Sequence, residues 1–347
     1  MGPMPELTVA AGLARGLIEL AVSKGASLQA LAERSGLDPE ALQDQDHRVA
    51  FAAYVDLMRA AKALTGDPAL ALHYGEANDL AQISVVGLLG YACETMLDAF
   101  TQLNRYGRLV VEFDGPKERF KIARRNGGLW DVDTRENANA FPELTESTFA
   151  RMVCGPRRFG VARLAEEVHV THAAPAYRTE YDRIFQAPVT FRSDWNAVRM
   201  DPAWATHRIA HQPRYVFGVL SERAEALLKE LESSKSARGQ VEALLLPILH
   251  TGRASVAVVA TRMGVSRQTL FRRLKREGVT FEKVLDSLRQ RMAMHYLSGK
   301  KVSVNETAYL VGFSDPAAFS RAFKRWTGAS PRTVRAAGPE GAQSQAS

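Results

Sequence analysis

Cysteine is nearly absent: the chain has two, Cys93 and Cys154, in 347 residues, without CxxC or Cys/His ligand spacing. That excludes a disulfide framework and a structural zinc site, and leaves both thiols as small apolar side chains for a core. Long apolar runs are missing too. The longest nearly uncharged stretch, Val85 to Cys93, is about half of what a membrane-spanning helix needs, and no basic-then-apolar leader opens the chain. The expected location is therefore the cytoplasm, with no membrane partner. No phosphate loop, Gly-x-Ser-x-Gly elbow or dinucleotide fingerprint occurs, so no cofactor and no catalytic residue is assigned. His169 and His172 fall on opposite faces of an expected strand, which does not suit a metal. Asp131, Asp133, Glu143 and Glu146 are scattered over a strand and a loop and read as a solvated face rather than a catalytic pair.

What is present is an ordinary globular composition, 46% hydrophobic and 24% charged, in a chain long enough for two or three domains. The net charge of +7 is unevenly spread. From Arg253 to Arg335 there are 17 Lys and Arg against 5 Asp and Glu, net +12; the whole chain has 45 and 38, so the remainder is net −5. A basic segment beside an acidic one is the charge pattern of a surface for a polyanion joined to a region that avoids it.

The acidic region, residues 1–231, mixes periods. Helical spacing runs over Thr8–Ser23, Ser27–Arg34 and Phe51–Leu64. Short β-branched or aromatic runs separated by turn residues predict strands at Arg108–Phe113, Glu118–Ala123, Gly128–Asp133, Glu166–His172 and Ala187–Ser193. This is an α+β domain. Polar residues 232–240 read as a linker, 241–335 as an all-α domain, and 336–347, which lack core-forming side chains, as a disordered tail.

The basic segment contains the same phrase twice. Ser255 caps a helix with Val256, Val259, Ala260 and Met263 on one face; Gly264 makes a turn; Ser266 caps a second helix with Leu270 and Leu274 inward. Ser303 and Glu306 form a capping box for a helix that buries Val304, Ala308 and Val311; Gly312 makes the turn, and Ser314-Asp315-Pro316 opens a helix with Phe319 and Phe323 inward. Ala260/Ala308, Gly264/Gly312 and Ser266/Ser314 share one offset, while the inward pairs and Arg272/Arg321 share an offset one residue longer. Two helix-turn-helix units with basic outer faces predict DNA binding. The candidate contacts are Arg267, Gln268, Phe271, Arg272, Lys275, Asp315, Ala317, Ser320, Arg321, Lys324 and Arg325. A helix over Phe281–Gly299, with Phe281, Leu285, Leu288, Met292 and Tyr296 on one stripe, joins the units. At roughly 16 residues it spans ~24 Å, short of the ~34 Å between successive major-groove faces, so engaging both second helices bends the duplex.

Residues 240–335 resemble the DNA-binding domain of the AraC/XylS family of bacterial transcription regulators. The resemblance is carried by Ala260 to Lys275 and by AYLVGFSDPAAFSRAFKRWTGASPRTVR, Ala308 to Arg335; Val334 stands where the family has an aromatic residue. Ser35–Ala77, Gly87–Tyr106 and Phe185–Asp201 resemble the sensor domain of the ornithine-utilisation regulator type within that family. The resemblance implies promoter DNA, a small-molecule effector and RNA polymerase as partners, activation as the output, and allows a homodimer through the N-terminal domain. Arg105, Tyr106, Arg108, Arg192 and Trp195 could line an effector pocket, but surface or core-edge places suit each as well, and no effector-binding residue is assigned. The alternative is an Ada-like DNA-repair enzyme carrying the same DNA module. That needs a metal-bound cysteine cluster and a reactive cysteine in a Pro-Cys-His-Arg setting, which neither YACET nor MVCGP provides.

Overall fold

Residues 7–116, 118–125, 127–161, 163–209, 214–299 and 302–341 are described by the structure, a computed structural model. They fall into two units, Glu6–Lys229 and Glu230–Ser347.

In the first unit β1 (Thr8–Ala10) pairs antiparallel with β2 (Arg48–Ala50), and between them lie α1 (Ala11–Ser23) and α2 (Leu28–Ser35). Then come α3 (Phe51–Thr65), α4 (Leu70–Ala77), α5 (Val85–Tyr91), α6 (Met96–Arg105) and the single turn α7 (Gly107–Val110). Leu13, Leu17, Leu31, Tyr54, Leu57 and Tyr74 form the centre of one core. Helix α4 packs on α8 (Pro142–Cys154) so closely that a Cβ on Gly75 would sit 2.2 Å from the Ser147 carbonyl oxygen. Only glycine permits that backbone approach.

A five-stranded sheet completes the unit: β3 (Phe120–Arg125), β4 (Gly128–Asp133), β5 (Ala165–His169), β6 (Val189–Thr190) and β7 (Asn196–Met200), in the order β3-β4-β7-β5-β6. Neighbours are antiparallel except β5 and β6. That parallel pair needs a crossover, which α9 (Arg178–Phe185) supplies. Phe149, Val168, Ile184, Phe185, Val198 and Trp204 share a second core.

Several expectations are corrected. Arg108–Phe113 is not a strand: Arg108–Val110 belong to α7, and Val111 makes one bridge to Val9. Arg48 explains it, because its guanidinium donates to the carbonyls of Arg108 and Leu109 and satisfies the helical turn's end. Strand β7 has no counterpart among the expected strands. Asp131, Asp133 and Glu146 are buried rather than solvated, since β4 lies between β3 and β7 and α8 is covered on most sides. Asp133 pairs with Arg119 at 2.9 Å and Arg135 at 3.0 Å, and Glu146 accepts from Tyr177 and Tyr181. Asp131 has no hydrogen-bond partner among the described residues.

The expected linker is largely helix. α10 (Arg214–Lys235) runs into Ser236, which caps α11 (Ala237–Leu245) by accepting from Gly239 N–H. Glu277 accepts from the N–H groups of Ala237 and Arg238 as well, so the donors at the start of α11 are satisfied by side chains.

The second unit continues with α12 (Val256–Arg262), α13 (Arg267–Arg276), α14 (Phe281–Ser298), α15 (Val304–Leu310), α16 (Pro316–Thr327) and α17 (Pro331–Gly341). Residues 336–341, expected in a disordered tail, lie within α17, which starts at Pro331 in the N-terminal position proline suits; 342–347 lie outside the described residues. On α14 the buried residues are Phe281, Val284, Leu288, Ala293 and Leu297, with Leu285, Met292 and Tyr296 only partly covered. Its apolar surface is wider than one stripe because α11, α15 and α17 all pack on it. With 18 residues it is about 27 Å long.

Candidate nucleic-acid interface

The two helix-turn-helix units are built as their caps predict. Ser255 accepts from Val258 N–H, Ser266 from Thr269 N–H, and Ser303 with Glu306 closes a capping box. The cap of α16 is Asp315, whose carboxylate accepts from Ala317 and Ala318 N–H, rather than Ser314. The two caps, Ser266 and Asp315, therefore match at the longer offset, and the extra residue lies in the second turn. Those two backbone hydrogen bonds hold the Asp315 carboxyl below its ordinary pKa.

Leu270 and Leu274 of α13, and Phe319 and Phe323 of α16, are fully buried in one core shared with α14. Burial of these pairs fixes which faces remain outside. On α13 the outward set is Arg267, Gln268, Phe271, Arg272 and Lys275, all exposed, with Phe271 44% exposed among cations. On α16 Ala317, Arg321, Lys324 and Arg325 are exposed. Ser320 is half-buried and its hydroxyl donates to the Pro316 carbonyl at 2.9 Å. Arg321 lies 3.9 Å from Asp315, and Arg325 3.5 Å from Asp286. Asp315 and Ser320 are thus engaged within their own helix, whereas Arg267, Arg272, Lys275 and Lys324 have no carboxylate within ion-pair distance among the described residues.

The second turn is held from beneath. Gly312 has φ +82°, and a Cβ there would lie 2.3 Å from the Leu249 carbonyl oxygen. Arg289 of α14 lies over the Phe313 ring and donates to the carbonyls of Val311 and Gly312. Burial of this guanidinium lowers its pKa. Sequence reasoning missed Arg289, since nothing in its spacing distinguishes a helix cation serving a turn from one facing solvent.

In the first unit a cavity of about 210 Å³ lies between α5, α6, α8 and the sheet. None of Arg105, Tyr106, Arg108, Arg192 and Trp195 lines it. Arg105 and Tyr106 contact Glu225, Arg108 lies over the Phe113 ring, and Trp195 packs on Trp130 while its indole N–H meets His169. His169 also contacts Ser193 and Glu167, and His172 contacts Tyr181. No cluster of three metal-ligating side chains occurs among the described residues, and no described helix is long and apolar enough to cross a membrane. Cys93 and Cys154 are buried and unpaired; burial pushes the Cys93 thiol up to about 11 and raises Cys154 as well.

Comparison with known proteins places these two units. The family model described as the arabinose-binding domain of AraC transcription regulators, N-terminal, matches residues 25–209, and a helix-turn-helix domain model matches residues 259–337. The ornithine utilization regulator of Pseudomonas aeruginosa is 28% identical over 338 residues, covering 93% of this chain and 95% of its own. The HTH-type transcriptional regulator VirS of Mycobacterium tuberculosis is 23% identical over 331 residues, 93% of this chain and 95% of its own. The HTH-type transcriptional activator RhaS of Escherichia coli is 42% identical over 78 residues, 22% of this chain and 28% of its own.

Proposed function

The chain belongs to the AraC family of transcription regulators, and we propose that it is a one-component regulator: residues 1–231 bind a small effector, and residues 241–335 grip promoter DNA through α13 and α16. The observation that carries this is the pair of capped helices with fully buried inner residues and exposed basic outer faces, four of whose cations have no carboxylate within ion-pair distance among the described residues. Unpaired cations aligned on an exposed helix are what phosphates and guanine edges meet. Arg267, Gln268, Phe271, Arg272 and Lys275 are the contacts from α13; Asp315, Ala317, Ser320, Arg321, Lys324 and Arg325 are those at the start and along the face of α16. The proposed output is activation, with RNA polymerase and a second copy of the chain as further partners; the short stretch shared with an activator supports that sense. As a regulator the chain is not an enzyme, and the repair-enzyme alternative has nothing to support it: both cysteines are buried with raised pKa, the reverse of an activated thiol.

The test is selection of bound duplexes from a random pool by the full chain, followed by fluorescence anisotropy on the recovered sequence at increasing KCl. Sequence enrichment and a steep loss of affinity with salt are expected. Absence of duplex binding at low salt would overturn the reading.

A further inference from the structure

We infer that the cavity of the first unit binds a small amphipathic carboxylate, with its charged end on Arg151 and its apolar body against Phe100, Phe159 and Trp204. The inference rests on the reading of this unit as an effector-binding domain and names the chemical class that the domain takes.

Three arginines reach the cavity wall: Arg119, Arg151 and Arg158. Arg119 is neutralised by Asp133 at 2.9 Å, and Arg158 by Asp79 at 2.6 Å. Arg151, projecting from α8, has no ion-pair partner among the described residues. Its guanidinium lies over the Tyr74 ring, 5.5 Å from the centroid, and its Nε and Nη2 are sealed from solvent without a hydrogen-bond acceptor. With these two nitrogens covered, the rest of the guanidinium is what Arg151 offers to the cavity, and a carboxylate meets it there by a charge-assisted hydrogen bond. Arg151 is half-buried on a mostly apolar wall without a counter-charge among the described residues, and a ligand carboxylate supplies that charge.

Most of the remaining wall is hydrocarbon and aromatic ring, including Met96, Leu103 and Phe120. An apolar cavity of about 150 Å³ takes up benzene, so 210 Å³ suits a body of about eight non-hydrogen atoms. The matching family model is named for arabinose, but a pentose carries a hydroxyl on almost every carbon, and this wall would leave most of them unmatched.

The test titrates the full chain, by calorimetry with tryptophan fluorescence in parallel, with octanoate, 3-phenylpropanoate, octan-1-ol, 3-phenylpropan-1-ol and L-arabinose. Both acids should bind, each at least ten-fold more tightly than its alcohol, and arabinose should not compete. Arg151→Gln should bring acid and alcohol to within about two-fold of each other while leaving alcohol affinity unchanged; Arg151→Lys, which keeps the charge, should retain part of the acid preference. The wild-type comparison of acid with alcohol stands even if both variants fail to fold. Equal affinity for acid and alcohol, binding of arabinose in place of the acids, no binding of any probe, or an acid preference that survives Arg151→Gln would each overturn the inference. Duplex binding by the same preparation is measured alongside: a chain that binds DNA but no acid sinks this inference and leaves the regulator reading standing.

Discussion

Arg272 and Arg321 stand at matching places on α13 and α16, both exposed, each two residues after a fully buried side chain. An arginine in the major groove can pair with guanine O6 and N7, so Arg272→Ala and Arg321→Ala should each cost about 1–3 kcal/mol and relax preference at one base pair. Lys275 and Lys324 lie one turn from Phe271 and Ser320; their loss should weaken every sequence alike and lower the salt slope by about one unit. Binding of the four variants to a cognate duplex and to single-base substitutions of it separates the two roles. Uniform loss for both arginine variants would remove them from base reading. At this scale the sequence was informative, because inward Leu and Phe pairs fix a helix's rotation and Ser, Thr and Asp caps fix its start. It was blind where a side chain's partner is distant in the chain: Arg289 under the second turn, Arg48 at the end of α7, and Glu277 at the start of α11.

Among the elements, the two turns test the packing directly. Gly264 and Gly312 both have positive φ, but the space around Gly264 is open while Gly312 abuts the Leu249 carbonyl. Gly264→Ala should cost about 1 kcal/mol for the left-handed backbone alone. Gly312→Ala should cost more, roughly 2–3 kcal/mol, because strain is added to a backbone collision that cannot relax in place. Urea unfolding of the two variants gives the comparison, and equal destabilisation would show that Leu249 yields. Elements with their own period and caps, α12 to α16 and strands β3 and β4, were legible. Those set by neighbours were not. The apolar run Leu109-Val110-Val111 misleads at the end of α7, because its β-branched residues favour a strand locally and Arg48 overrides them. Ser236 and Gly239 read as flexible, yet one caps α11 and the other allows its backbone within contact of Ser233, where a Cβ would meet the carbonyl oxygen at 1.9 Å.

For the molecule as a whole, the cavity of the first unit could not be found by reading along the chain, since its wall is gathered from residues between Leu13 and Ile209. The buried acids of the same unit give it a pH signature. Burial, with help from the neighbouring Asp133 charge, raises the Asp131 pKa well above the ordinary value. A raised acid favours folding while it stays protonated, and that contribution is lost as pH climbs from the ordinary carboxylate value through the raised one. Asp133 moves the other way: burial would raise it, but Arg119 and Arg135 outweigh burial and hold it low, so its contribution changes only in acid. Asp131→Asn, neutral throughout, should therefore gain on the wild type as pH rises from 5 to 8, by about 2–4 °C in Tm for each ~1 kcal/mol. A Tm difference that stays constant over that range would refute it. The unlike outer faces of α13 and α16, Gln268 and Phe271 on one against Ala317 and Ser320 on the other, carry a consequence for the genome. On the proposed contacts, one chain that reads two different words in a fixed order would recognise an asymmetric site, so each site would have a head and a tail, and reversing it relative to the start of transcription would reverse the protein on the promoter.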